Sequence, residues 1–236
     1  MTAAPSAATL AREGEVELAN RETSGPTKVK PRLRGVFHFL GFFVSLGGFA
    51  ELAMAPQSGW RYVAGLIYAA SLSTLLGLSA LYHRPMWSKA ARARLRFVDH
   101  CGIFFLIAGS YTPFAALIAP TGWTWGLVGM WGGALAGIAH VFLNDHGHRG
   151  LRAGVYVVLG LSSSPLVFTL PPLVGWGVVA LLLVGAVIYI LGAGVYAKRW
   201  PNPKPSFFGY HEVFHLFVLA AAAFHYAAVW RIQYRG

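Results

Sequence analysis

Cysteine occurs once, at Cys101, inside an apolar run. That excludes a disulfide framework and every zinc motif built on cysteine. Charge is nearly as scarce: Asp, Glu, Lys and Arg make up 11% of the 236 residues, against 56% hydrophobic. Such a balance excludes an ordinary soluble domain and is the profile of a polytopic membrane protein. Acidic residues are the rarer sign, 8 against 19 Lys and Arg. In a soluble chain a net charge of +11 would point to nucleic acid. Here the basic residues cluster between apolar runs, which is a signature of membrane topology and leaves no nucleic-acid partner. Residues 1–27 lack any uninterrupted apolar segment, so they are neither a signal peptide nor a span. Carrying Ala, Ser, Thr and Pro with Glu13, Glu15, Glu17 and Glu22, they read as a disordered cytosolic tail ahead of a membrane domain over 28–236.

Apolar runs of spanning length recur near 35–55, 60–83, 97–118, 123–143, 151–170, 173–197 and 210–230. The sequence therefore predicts an all-α protein of seven transmembrane helices. Short connections carry turn residues, such as Pro56-Gln57-Ser58-Gly59, Pro120-Thr121-Gly122 and Pro171-Pro172. The 28 glycines suit close helix packing in lipid. Basic residues set the orientation. Sixteen fall in the N-terminal tail and the loops after spans two, four and six, while only Arg61, Arg231 and Arg235 fall on the other side. This places the N-terminus in the cytosol and, with seven spans, the C-terminus outside. Heptahelical receptors and rhodopsins run the other way, and the last span has no Lys for a retinal Schiff base.

The last run opens His211-Glu212-Val213-Phe214-His215. Two histidines four apart on a helix lie ~40° apart around its axis, so both imidazoles can reach one ion. Span two ends Ser79-Ala80-Leu81-Tyr82-His83, with Ser79 one turn deeper on the same face. Span three begins Phe97-Val98-Asp99, which puts Asp99 in its first turn. His83, His211, His215 and Asp99 thus share one membrane level near the cytosol, where ionisable groups are expensive and functional. Three neutral imidazoles with an open fourth position fit catalytic zinc, Zn²⁺. Without cysteine or a second carboxylate, an oxygen-rich calcium or magnesium site does not fit. Asp99 is the candidate base for water, with a helix cap or a partner of Arg94 or Arg96 as the alternative. Ser79 is a candidate hydrogen-bond donor to the site or to substrate, or is bonded back to its own helix. His38 also lies on the inner half, placed either to line the same cavity or for a structural role. His140, His146 and His148 read as interfacial, and His225, ~15 Å beyond His215, is too far for the same ion. The spelling His-Glu-x-x-His matches zincin proteases, but no Asp or Glu follows His215. Glu212, ~100° around the helix from His211, is placed to face a Lys or Arg instead.

Together, Ser79-x-x-x-His83, Asp99, Ala108-Gly-Ser-Tyr-Thr-Pro113 and Gly209-Tyr-His-Glu-Val-Phe-His215 resemble the hemolysin III family. This is the bacterial branch of the progestin and adipoQ receptors, in a superfamily with the alkaline ceramidases. The resemblance covers residues 31 to 230. It implies a seven-helix fold with the N-terminus inside, in the bacterial plasma membrane. It also implies an intramembrane zinc on the histidines matching His83, His211 and His215, with the aspartate matching Asp99 reaching zinc through water. Many relatives carry Glu-x-x-Asn before the first-span histidine. Those positions are Pro31 and Arg34 here, so the contact they make is absent or replaced.

The expected function is zinc-dependent hydrolysis of a membrane lipid's amide or ester, ceramidase-like, with Asp99 as base. The alternatives are a non-enzymatic membrane sensor with structural zinc, or a pore-forming hemolysin; a pore wants polar residues along several spans, whereas here they gather at one level. Orientation has its own test. A reporter fused after Gly236 should work only if it is of a kind active outside the cytosol. Activity of a cytosol-only reporter there would overturn the span count, with Pro171-Pro172 the first place to look.

Overall fold

A computed structural model describes residues 30–118, 124–143 and 149–235. The tail expected over 1–27, together with His146 and His148, lies outside the described residues. Among the described residues there is no β-strand, and seven helical segments are long and apolar enough to cross a membrane. They are α1 (Val36–Ala53), α2 (Gly59–His83), α3 (Lys89–Ile118), α4 (Thr124–Leu143), a fifth span over Arg149–Thr169, α8 (Trp176–Lys198) and α9 (Tyr210–Tyr234). The fifth span is α5 (Arg149–Leu161) followed by the single turn α6 (Leu166–Thr169). Helices α2 and α3 bury the largest shares of their surfaces and form the centre, with Tyr68, Phe104 and Phe114 fully enclosed. Helix α9 packs on α8, α1, α2 and α3, which brings the last helix beside the first three.

Two boundaries differ from the sequence expectation, each for a local reason. The third helix starts at Lys89, well before 97, because Lys89 to Arg96 is rich in Ala, Arg and Lys, which favour helix with or without lipid. Asp99 therefore stands about three turns inside the helix rather than in its first turn, which removes the helix-cap alternative. The second difference concerns Pro171-Pro172. This pair opens a one-turn helix, α7 (Pro171–Val174), where a missing N–H costs nothing. The chain breaks instead at Gly175, whose φ of 77° and ψ of 157° is open to glycine alone, and α8 follows at once. Upstream, α5 ends where Ser162 and Ser163 each donate to a carbonyl three residues back, at 2.6 Å, just before Pro165.

The segment before α1 is held against the loop before α9. Arg32 N–H donates to Ser206 O at 3.2 Å and Leu33 N–H to Phe207 O at 3.1 Å. Gly35, at φ 77°, then turns the chain into α1 so close to His83 that a Cβ there would meet the His83 Cβ at 2.6 Å. The start of α9 is pinned by Glu212, which has no exposed surface. One carboxylate oxygen accepts the Gly209 N–H at 2.7 Å; the glycine has no side chain to return the bond. The other lies 2.5 Å from Arg34 Nε, a charge contact rather than an aligned hydrogen bond. Tyr210 N–H donates to Asn202 Oδ1 at 3.0 Å. Removing one partner of a buried pair leaves an uncompensated charge at a cost of about 3 kcal/mol or more. Arg34→Gln should therefore lower the thermal unfolding temperature of the detergent-solubilised protein clearly. An unchanged midpoint would show that Glu212 does not depend on Arg34.

Candidate metal centre

Two helix ends deliver the histidines. His83 closes α2, while His211 and His215 occupy the first two turns of α9 on one face. His83 Nε2 and His211 Nε2 are 3.0 Å apart. The ring centroids stand 4.7 Å apart for His83–His211, 5.1 Å for His83–His215 and 4.5 Å for His211–His215. One ring nitrogen from each lies within 4.8 Å of the others, so the three can hold a metal ion. His83 and His215 are buried and His211 is half-buried. The donor set tests well for fit. Imidazole nitrogens on a four-coordinate zinc stand ~3.3 Å apart, a spacing reached from 3.0–4.8 Å by small ring movements. Buried His215 Nδ1 has no hydrogen-bond partner, a cost that a ligand or neighbour must offset.

The residues placed one turn deeper join the same cluster. Ser79 Oγ is 2.8 Å from His38 Nδ1, so this hydroxyl bonds across to α1 rather than back to its own helix. Ser79 also interacts with Asp99 on α3. His38 Nε2 is buried without a well-formed hydrogen bond. The His38 ring lies flat on His215, centroids 3.8 Å apart and planes 7° from parallel. His38 thus joins the centre, the cavity-lining one of the two roles its sequence position offered. What marked it was its place on the inner half of span one, the same level as the other histidines.

Arg34 was legible only as a departure from the relatives' pattern; in the fold it is the partner of Glu212. This is the basic neighbour the helix geometry called for at Glu212, and it turns that carboxylate away from the role of a zincin base. The remaining histidines stand apart. His225 Nε2 donates to Leu182 O at 3.2 Å, with Tyr189 against its ring. His100 Nδ1 donates to Arg96 O at 2.6 Å, which makes its 3.8 Å approach to Asp99 a secondary contact. His140 is half-buried in the last turn of α4. Beside the centre, Arg149 Nη1 donates to the Tyr210 hydroxyl at 2.7 Å and its guanidinium lies over the Tyr196 ring.

Known proteins share this arrangement of sequence. The profile of the family described as "Haemolysin-III related" matches residues 27–226. The chain is 31% identical over 198 residues to the "Hemolysin-3 homolog" of Bacillus subtilis, covering 80% of this chain and 87% of that one. It is 30% identical over 199 residues to the human "Monocyte to macrophage differentiation factor", covering 80% and 78%. Against the "Adiponectin receptor protein" of Drosophila melanogaster it is 27% identical over 225 residues, covering 86% of this chain and 50% of that one. A seven-helix membrane bundle, a three-histidine cluster at one end of it, and a family profile spanning nearly all of both lead to one assignment: the chain belongs to the haemolysin-III related family.

Proposed function

We propose that the protein is a zinc-dependent hydrolase acting on an amide or ester bond of a membrane lipid, seated in the bacterial plasma membrane with its N-terminus in the cytosol. The observation that carries this reading is the convergence of three histidine nitrogens within 4.8 Å beside a Ser79–Asp99 pair at the ends of membrane helices. His83, His211 and His215 are the residues that would hold zinc. When bound, zinc supplies Lewis acidity, polarising a carbonyl and making water acidic enough to lose a proton near neutral pH.

The protein's own groups supply the rest. Asp99 takes the proton from the attacking water as general base. Ser79, held between Asp99 and His38, fixes the carboxylate's direction. His38, stacked on His215, limits how that ring can turn. The lipid enters as substrate from the bilayer in which the helices stand, so its scissile bond must lie close to the headgroups to reach this level.

About one zinc per purified chain is expected, and replacing His83, His211 or His215 with Ala should strip most of it, because two imidazoles hold zinc far more weakly than three. Full zinc content in His211→Ala protein would refute the ligand set. Asp99→Asn separates catalysis from a sensor with structural zinc. It should leave zinc bound while cutting hydrolysis of a ceramide-like lipid by ~10²–10⁴-fold, the usual worth of a general base. Retained zinc with an unchanged rate would remove Asp99 from the chemistry and favour the sensor reading. Loss of the zinc itself would make Asp99 a direct ligand.

A further inference from the structure

The end of the bundle away from the histidines has a polar arrangement of its own. A pocket of about 370 Å³ opens there between the α7 turn, the first turn of α8 and the last turn of α9. Its wall is apolar, from Leu173, Val174, Val178 and Ile232, and its charge comes from Arg231 and Arg235. Arg231 lies in the last turn of α9 and Arg235 is the residue that follows its end, and both line the pocket. A Cβ at Gly177 would stand 3.2 Å from Arg231 Nη1, so it is the missing side chain that lets this guanidinium lie against α8. Arg235 rests over the Trp230 ring, 5.7 Å from its centroid.

Neither guanidinium has an ion-pair partner among the described residues. The carboxylates among those residues are Glu51, Asp99 and Glu212, and the last two sit at the histidine end. Glu51 is near but committed, accepting from Tyr226 O–H at 2.8 Å and from Trp230 Nε1–H at 2.7 Å. Among the described residues, the pocket's two positive charges therefore have no counter-charge. Its depth in a bilayer follows from the tryptophans. Trp60, Trp125 and Trp176 open α2, α4 and α8 at this same end, all exposed, as the aromatic belt at a membrane–water boundary is.

We propose that Arg231 and Arg235 bind the phosphodiester of an anionic phospholipid, its acyl chains lying along the apolar wall. Guanidinium groups match phosphate oxygens with paired hydrogen bonds, and basic pockets at the membrane boundary are the sites where anionic headgroups are held. The lipid's apolar part accounts for the wall, which a free inorganic anion would leave unused. A zwitterionic lipid brings an ammonium for which the described residues of this end offer no open carboxylate, so the anionic headgroup is preferred.

The test uses the full-length protein in mild detergent, with thermal stability and lipid retention by native mass spectrometry as readouts. Phosphatidylglycerol should raise the melting temperature by several degrees more than phosphatidylcholine does, and should survive delipidation longer. Arg231→Gln/Arg235→Gln should lose that difference, weakening retention roughly tenfold or more, as expected for charge-assisted hydrogen bonds. Its zinc content and its stability in phosphatidylcholine should not change. The single variants should each lose part of the effect, and Arg231→Lys should keep more of it than Arg231→Gln. Equal responses of the wild type to the two lipids would overturn the proposal without recourse to any variant. So would an undiminished phosphatidylglycerol response in the double variant, or equal stabilisation by millimolar inorganic phosphate, which would make the site one for free anions.

Discussion

A carboxylate with no exposed surface opens the last helix, and its charge has to be met within the protein. Burial of an unpaired charge is among the costliest errors a fold can contain. Glu212 meets it with Arg34 on one oxygen and the Gly209 N–H on the other. The first of these bonds reaches across to the segment before α1; the second fixes the backbone from which His211 projects. Neither segment can drift without exposing the charge. The orientation of two histidines thus follows from a neighbour that touches no metal.

The same economy governs both ends of the bundle. At the histidine end, α1 is tied to α9 through Arg34 and Glu212 and through the His38–His215 stack. At the far end, Glu51 of α1 takes the Tyr226 and Trp230 donors, and the Tyr234 hydroxyl donates to the Glu51 carbonyl at 2.6 Å. Lipid tails offer apolar helices no preference for one another over lipid, so packing of small residues and polar contacts of this kind hold the bundle together. The first and last helices are closed on each other at two levels, with α2 and α3 enclosed behind them.

Much of this was readable from residue spacing, because the bilayer imposes a length on every span and a cost on every polar group within it. The seven helices fell where the apolar runs lie, and the His83, His211 and His215 cluster followed from placing helix ends at one level. What spacing could not reach were partnerships across helices. Periodicity along α1 puts His38 on the inner half but carries no information about stacking on a ring 177 positions later. The start of α3 was misplaced because hydropathy marks where a helix enters lipid, while Ala, Arg and Lys continue the helix beyond it. Likewise Pro171-Pro172 looked like a break, yet proline is at home in a first turn, and the break belongs to Gly175.

The histidine pair that nearly touches, His83 and His211, is separated by 128 residues. At a synthesis rate of roughly 5–20 residues per second, the first emerges on the order of ten seconds before the second. Through that interval α2 and α3 can already pack, while His83 stands at the membrane surface with neither α9 nor the Arg34–Glu212 contact in place. The cluster is therefore completed only when the last helix arrives. Insertion of α9 is the step at which the nascent chain changes from a bundle of hydrophobic helices into one whose three histidines could hold a metal ion.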